Sequence, residues 1–487
     1  MNNDCVAVRL KSKLKQLESD AVRLKSKLKR LENPDPRFLK YNSLYPTLTD
    51  HTSILAYPET RVTTLPNGLR VATESNLASH MTTVCVSIDT GSRFETEETN
   101  GVAHYLEHML HRGTLKRPGD DLFEEIENMG GQLDVATSRE QTVYTAKVMA
   151  GDWPKALEIL SDMLQNSTFD EKQINDERHT IMDEWVESKN ALNYVLFDRL
   201  QAAAFQHDPL GWTVLGPARN IMDMTKKDIQ DYHSTHYAAH RMVISASGAV
   251  KHEDIVEQVN KMFTQLPTNP ITSTQLVENK PAIFTGSENR QRDDEKPYAY
   301  FGILFKGPSV TDPDAVAVLV MRTMLGSWDK TTEPKGSQLA RIVGIDELTE
   351  YVTAVNHHYK ETGLFGVYAA AKPDRLDDLA SAIMQEISKL CYQVAEEDVM
   401  RAKNQLKFLL HKEQHKAEEI GRQLLDYGRR IPLAEFFARL DAVNVATIKR
   451  VANKYIFDQD IAIAAFGPVK LLPDHSWFRS RTSMLHF

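Results

Sequence analysis

A strand–turn–helix series occurs twice in this chain, in the same order, and that repetition limits the fold more than any other feature. Tyr144 to Val148, followed by a helical run from Asp152 to Leu164, is echoed by Val367 to Ala370 and a run from Asp374 to Leu390. Glu171-Lys172-Gln173-Ile174 opens a helix as Glu396-Glu397-Asp398-Val399 does, 225 positions on. Tyr298 to Phe305, the turn Gly307-Pro308-Ser309 and the run Asp314 to Leu325 echo a strand at Val84 to Ile88, a turn and a helix near residue 101. A chain of 487 residues is in any case too long for a single core. The predicted fold class is therefore α+β, as two homologous α+β domains at residues 60–267 and 295–487. Residues 268–294, rich in Thr, Asn, Pro, Ser and charge, read as the linker between them.

The two copies differ in one respect that bears on chemistry. Gly101 to Leu110 reads as a short helix, with Asn100 as its N-cap and Gly113 suited to the left-handed turn that ends it. His104 and His108 are four apart and share a face, with Glu107 beside them. Two imidazoles one turn apart are a ready pair of zinc ligands, and the carboxylate can act as a base toward water. The order H-x-x-E-H is the inverted zinc-peptidase signature. Such a centre takes a third protein ligand from elsewhere. The helical run from Phe169 to about Asn190 offers Glu177 and Glu184, two turns or about 10.5 Å apart along the axis. In the second copy Glu184 falls on Leu409, and the histidines fall within Val316 to Met321, where no ligand exists. One copy is built for metal and the other is its apolar echo.

H-x-x-E-H followed by E-R-x-x-x-x-x-E, here Glu177-Arg178 to Glu184, resembles the pitrilysin family of metallopeptidases. Within it the chain is most similar to the β branch of the mitochondrial processing peptidases, plant type, from about Thr60 to the C-terminus. The stretch around Tyr359-Lys360-Glu361-Thr362-Gly363 is especially similar. The resemblance implies two domains closed as a clamshell around a chamber. It makes His104, His108 and Glu184 the ligands of Zn2+, Glu107 the catalytic base and Glu177 a supporting group. It also implies basic presequence peptides as substrate, a processing peptidase α subunit as partner, and the mitochondrial matrix or the matrix face of the inner membrane as location. Core subunits of the ubiquinol–cytochrome c reductase complex are the alternative that the same branch implies. The family's edge strand beside the site reads L-N-A-x-T-S-R-E, and this chain has Leu133-Asp134-Val135-Ala136-Thr137-Ser138-Arg139-Glu140. Where the β branch carries an acidic pair that reads a substrate arginine, this chain has Tyr194 and Asp198. Asp134, Tyr194 and Asp198 are thus the substrate-binding candidates. A Gly-Gly-Gly-Lys loop of the branch is replaced by Thr331-Thr332-Glu333-Pro334-Lys335.

Bulk properties narrow the classes. A net charge of −9 disfavours a nucleic-acid binder and suits handling of basic peptides. Cys5, Cys85 and Cys391 are widely separated, so a reducing compartment is expected rather than a disulfide scaffold. No apolar run has the length of a membrane span. Residues 1–45 hold a basic segment in which Ala7 to Lys15 recurs as Ala21 to Lys29, with leucines at coiled-coil spacing; coiled coil and leader remain equal readings. Val62 to Thr73 reads as a hairpin, and Val84, Val86 and Ile88 as a half-buried strand. His357 and His358 are adjacent, face opposite ways in a strand, and are expected at a solvated edge. His111, His233, His236 and His240 are expected to be structural.

Overall fold

The computed structural model describes residues 59–483, except 120, 334–335 and 414–416. The basic repeat at 1–45 therefore lies outside the described residues, as does the end of the Thr331 to Lys335 loop.

The first half is a six-stranded sheet of β1 (Arg61–Thr64), β2 (Arg70–Ser75), β3 (Met81–Ile88), β4 (Gln132–Thr137), β5 (Thr142–Met149) and β6 (Met242–Gly248). Its order is β1-β2-β6-β3-β5-β4, which leaves β4 at an edge. Its helices are α1 (Val102–His111), α2 (Asp121–Asn128), α3 (Trp153–Asn166), α4 (Glu171–Ser188), α5 (Leu192–Ala204), α6 (Ala218–Asp223), α7 (Lys226–His236) and α8 (His252–Met262). After α9 (Ser273–Asn279) the second sheet contains β7 (Glu288–Arg292), β8 (Ala299–Gly307), β9 (Ser327–Asp329), β10 (Tyr351–His358), β11 (Gly363–Ala371) and β12 (Ile461–Gly467). Its order, β7-β12-β8-β11-β10-β9, matches the first around the central strands. The helices of this half are α10 (Ala315–Leu325), α11 (Gln338–Ile345), α12 (Leu376–Tyr392), α13 (Glu396–Glu413), α14 (Ala417–Tyr427), α15 (Leu433–Ala442), α16 (Val445–Tyr455) and α17 (His475–Arg481).

One face of each sheet is covered by the helices of its own half. Val84, Val86 and Ile88 pack with Leu106, Leu110, Leu157 and Leu160 in the first core, and Phe301, Ile303 and Phe305 with Val318, Met321 and Ile383 in the second. The other faces are exchanged. From α14, Ile420, Leu424 and Leu425 pack on Ala72 and Val243 of the first sheet. Ser245 donates to the Ala417 carbonyl at 2.7 Å, and Arg70 to that of Leu424 at 2.6 Å. Glycine at 421 lets α14 lie close against β3, since a Cβ there would stand 2.2 Å from Ser87 Oγ. In return, Leu196, Leu200, Ala203 and Ala204 of α5 pack on Leu304, Tyr368, Ala462 and Ala464 of the second sheet.

This exchange corrects the half-buried reading of β3: Cys85 and Ser87, on its supposedly solvated face, are fully buried because α14 covers them. Helices therefore occupy ground between the sheets, and one opening among the described residues there is a pocket of about 460 Å3 lined by Arg139, Phe197, His357 and Arg422 among others. The linker at 268–294 is also corrected. It carries α9, started by a capping box of Thr272 and Gln275, and β7, which pairs parallel to β12 as the edge of the second sheet. Its polar composition concealed both. His357 is half-buried rather than solvated, its ring 4.7 Å from that of Phe197 on the wall of that opening.

Candidate metal centre

α1 begins with help from outside the helix. Gly101 occupies the N-cap position in a left-handed conformation, φ 104°. The carboxylate of Glu95 accepts from the backbone N–H of Gly101 and of Ala103, both at 2.8 Å, and from the Asn100 side-chain amide at 2.7 Å. Asn100 is therefore not the cap expected; it steadies the residue that is, because a left-handed Gly101 turns the chain before Asn100 can reach the helix. Burial pushes Glu95 up to about 8 even against those three hydrogen bonds. The helix is fastened to α4 by the Tyr105 hydroxyl, which donates to the Ile174 carbonyl. At the start of α4, Asp170 caps by accepting from the backbone of Lys172 and Gln173.

The two helices bring His104, His108 and Glu184 together, with one ligand-type atom of each within 4.8 Å of the others. Glu184 Oε2 lies 3.2 Å from His104 Nε2 and 3.3 Å from His108 Nε2. The two imidazoles stand edge to face, 4.7 Å between centroids. Glu177 is buried behind His108 and meets its Nδ1 at 2.9 Å, while Arg112 holds the other oxygen of Glu177. Glu107 stands 3.9 Å from His104 Nδ1, and its Oε2 is buried with no hydrogen-bond partner.

Burial works to lower the His108 pKa, but the Glu177 hydrogen bond and the charges of Glu184, Glu177 and Glu107 outweigh it, so the net shift is upward. The bonds from His104 and His108 hold Glu184 below the usual carboxylate range. Burial raises Glu177, yet His108 and Arg112 carry it below its ordinary value. The upward shift of His108 expresses the negative charge of the carboxylates around it, and the downward shifts of Glu184 and Glu177 show those carboxylates kept ionised, a donor set that favours a cation between the rings. A His108 that donates from Nδ1 presents the lone pair of Nε2 to a carboxylate oxygen. That arrangement is repulsive unless a second proton or a metal cation lies between them.

None of the substrate-binding candidates belongs to this cluster. Asp134, on the edge strand β4, accepts from Lys147 at 3.0 Å and from Gln132 at 2.7 Å. Asp198 is buried and accepts from Arg139 at 2.8 Å, and the Tyr194 hydroxyl bonds to it as well. Burial raises the Asp198 pKa despite these bonds. The carboxylate expected to await an arginine thus already holds one from its own chain, which also stacks 5.1 Å from Phe197. Sequence reasoning missed Arg112, Arg139 and Glu95. Arg112 stood in view, four residues after His108 at the C-cap of the same helix. No local spacing points to Glu95.

His111, His233 and His236 are packed among side chains, His111 against Phe123 and His236 on the Arg241 guanidinium. Desolvation lowers His111 to about 4 and His236 to about 3. At the second-half counterpart of the centre, α10 buries Ala317, Val320 and Met321, and Leu409 of α13 is 47% exposed. Among the described residues no helix is long and apolar enough to cross a membrane.

Residues 70–218 match the family described as insulinase (peptidase family M16), and residues 223–406 match the peptidase M16 inactive domain. The chain is 58% identical to the probable mitochondrial-processing peptidase subunit beta of Arabidopsis thaliana, over 99% of this chain and 90% of that protein. It is 42% identical to the mitochondrial-processing peptidase subunit beta of Bos taurus, over 91% and 92%. A chain in complex III2 from Candida albicans shares the fold at a TM-score of 0.78 and 24% identity, covering 87% of this chain and all of that one. A protease from Helicobacter pylori does so at 0.75 and 20%, covering 85% of this chain and all of that one.

Proposed function

The chain belongs to the insulinase (M16) peptidase family, and from that premise we propose that it is the β-type subunit of a mitochondrial processing peptidase, a zinc metalloendopeptidase acting on basic presequences with an α subunit. His104, His108 and Glu184 are the zinc ligands, Glu107 the general base, and Glu177 the group that fixes the His108 tautomer. The separations at Glu184 carry this reading. Four ligands at about 2.0 Å from a tetrahedral centre stand about 3.3 Å from one another. The two separations from Glu184 Oε2 are 3.2 and 3.3 Å. The partnerless buried oxygen of Glu107 completes the fit, since a buried carboxylate oxygen with no donor calls for one from a ligand or water.

A bound zinc ion would supply Lewis acidity toward a peptide carbonyl and toward the attacking water. The residues do the rest. Glu107 takes the water proton and passes it to the leaving amine nitrogen. Glu177 keeps the His108 Nε2 lone pair directed at the centre, and Arg112 keeps Glu177 in place. The free edge of β4 offers an extended peptide its unpaired backbone groups. The α subunit would close the chamber over that edge, and the pair works in the matrix or at the matrix face of the inner membrane. A structural respiratory subunit has no use for a buried, unpaired Glu107, so that observation favours the peptidase over the core subunit. The test is cleavage of a presequence peptide by the purified chain with and without an α subunit. Cleavage that needs both chains and stops on chelation supports the reading; a metal-loaded pair that cuts nothing refutes it.

A further inference from the structure

The base and two of the ligands ride on α1, the peptide edge is β4, and one short loop ties them to each other and to the second half. The loop of residues 91 to 95 pairs by backbone with the turn that follows β4: Ser92 N–H donates to the Ser138 carbonyl at 3.2 Å and Arg93 N–H to that of Arg139 at 2.9 Å. Gly91 is wedged there, since a Cβ would stand 2.2 Å from the Ser138 oxygen. At its far end the loop supplies Glu95, the cap of α1. Between these two fixtures sits Arg93, whose side chain is only 4% exposed. Its guanidinium is forked between Glu140, just beyond β4, and Glu361, in the turn between β10 and β11 of the second half, with Nη1 2.7 Å from Glu361 Oε2. Each acid also has a second donor. Glu140 also accepts from the Lys360 backbone at 3.0 Å, and Glu361 from the Ala282 backbone at 2.9 Å. Lys360 adds a second tie between the halves, to Asp89 at 2.8 Å.

We propose that Arg93, gripped by Glu361 of the second half, is a positioning residue that sets the peptide edge β4 against the base and ligands of α1. The metal-free half thereby takes part in the reaction without touching substrate. A buried guanidinium between two acids is a rigid fork, and a bidentate contact fixes direction as well as distance. Loosening it leaves α1 and α4 joined through Tyr105 and Ile174, so the metal cage persists. What changes is where the scissile bond of a bound peptide lies relative to Glu107, and misplacement by a fraction of an ångström lowers the chemical step more than it lowers binding.

The inference rests on the peptidase reading, and the test separates the two. Wild type, Glu361→Gln, Arg93→Lys and the double variant are each assembled with the α subunit and assayed on one presequence peptide, with metal content and melting temperature measured on the same preparations. The expected result is kcat lower by tenfold or more in each single variant, KM within about threefold, metal retained, and a double variant no worse than its poorer parent. Arg93→Lys keeps a charge but loses the fork to both acids, whereas Glu361→Gln leaves the Glu140 arm, so the loss in Arg93→Lys is at least as large if Glu361 acts through Arg93. The positioning role is overturned by single variants with wild-type kcat, by losses that multiply in the double variant, or by losses that follow metal content or melting temperature. A wild-type pair that cuts nothing overturns the peptidase reading and this inference with it.

Discussion

His108 Nδ1 and Glu177 Oε2 stand 2.9 Å apart, and this bond determines which nitrogen of His108 faces Glu184. An amide in place of the carboxylate can meet Nδ1 with a donor as well as an acceptor, which admits the other tautomer, and it takes away the charge that Arg112 meets there. Glu177→Gln is expected to weaken metal affinity about 10- to 100-fold, the usual cost of losing such a partner. Competition with a chelator of known affinity measures it.

Coordination and catalysis separate by residue. His108→Ala or Glu184→Ala should abolish tight metal binding, because each takes one atom from a cluster of three. Glu107→Gln should keep the metal and still bind peptide while kcat falls by about 100- to 10,000-fold, the range for a lost general base. Elemental analysis beside a single-turnover assay tests both, and metal lost from Glu107→Gln would remove Glu107 from the role of base.

At the seam between the halves, Gly421→Ala places a methyl group 2.2 Å from Ser87 Oγ and 2.9 Å from Ser87 Cβ. Overpacking of this kind costs about 1–3 kcal/mol. The expected readout in calorimetry is a lower melting temperature, with the metal-binding residues untouched. An unchanged melting temperature would mean that α14 shifts on the first sheet at no cost.

Acid should loosen the same seam. Burial, with Arg139 nearby, lowers His357 from the usual 6.5 to about 4. A folded-state value below the unfolded one contributes stability that is complete above about 6.5 and is lost as pH falls toward 4. The loss amounts to about 2–3 kcal/mol for this residue. The melting temperature should fall from pH 7 to pH 5, and His357→Gln should flatten the slope; equal slopes in the two proteins would place the acid sensitivity elsewhere.

What could be read from the sequence was whatever a local period carries. The four-residue spacing of His104 and His108 required a common face, and the seven-residue spacing of Glu177 and Glu184 set them two turns apart on α4, where they meet opposite nitrogens of His108. The repeat announced two sheets of like order. Contacts made across long separations had no such signal. Ile420, Leu424 and Leu425 mark α14 as amphipathic, but nothing in their spacing says that they cover the first sheet rather than their own. Asp198 read as an open acceptor because Arg139, on a different element, is not adjacent in sequence. Glu95 escaped notice because a cap delivered from a preceding loop lacks the usual spacing to its helix.

The exchange of α5 and α14 has a consequence for biosynthesis. Ser245 waits for a partner 172 residues further on, and Arg70 for one 354 residues further on. At a synthesis rate of roughly 5–20 residues per second, the inner face of the first sheet stays bare for about ten seconds or more after its last strand is made. During that interval Ala72 and Val243 present an apolar surface to any neighbouring nascent chain. The step that completes the fold is thus also the step that ends its greatest exposure to aggregation, and a chaperone that shields one sheet face until α14 arrives would raise the yield of this chain more than one that speeds either half alone.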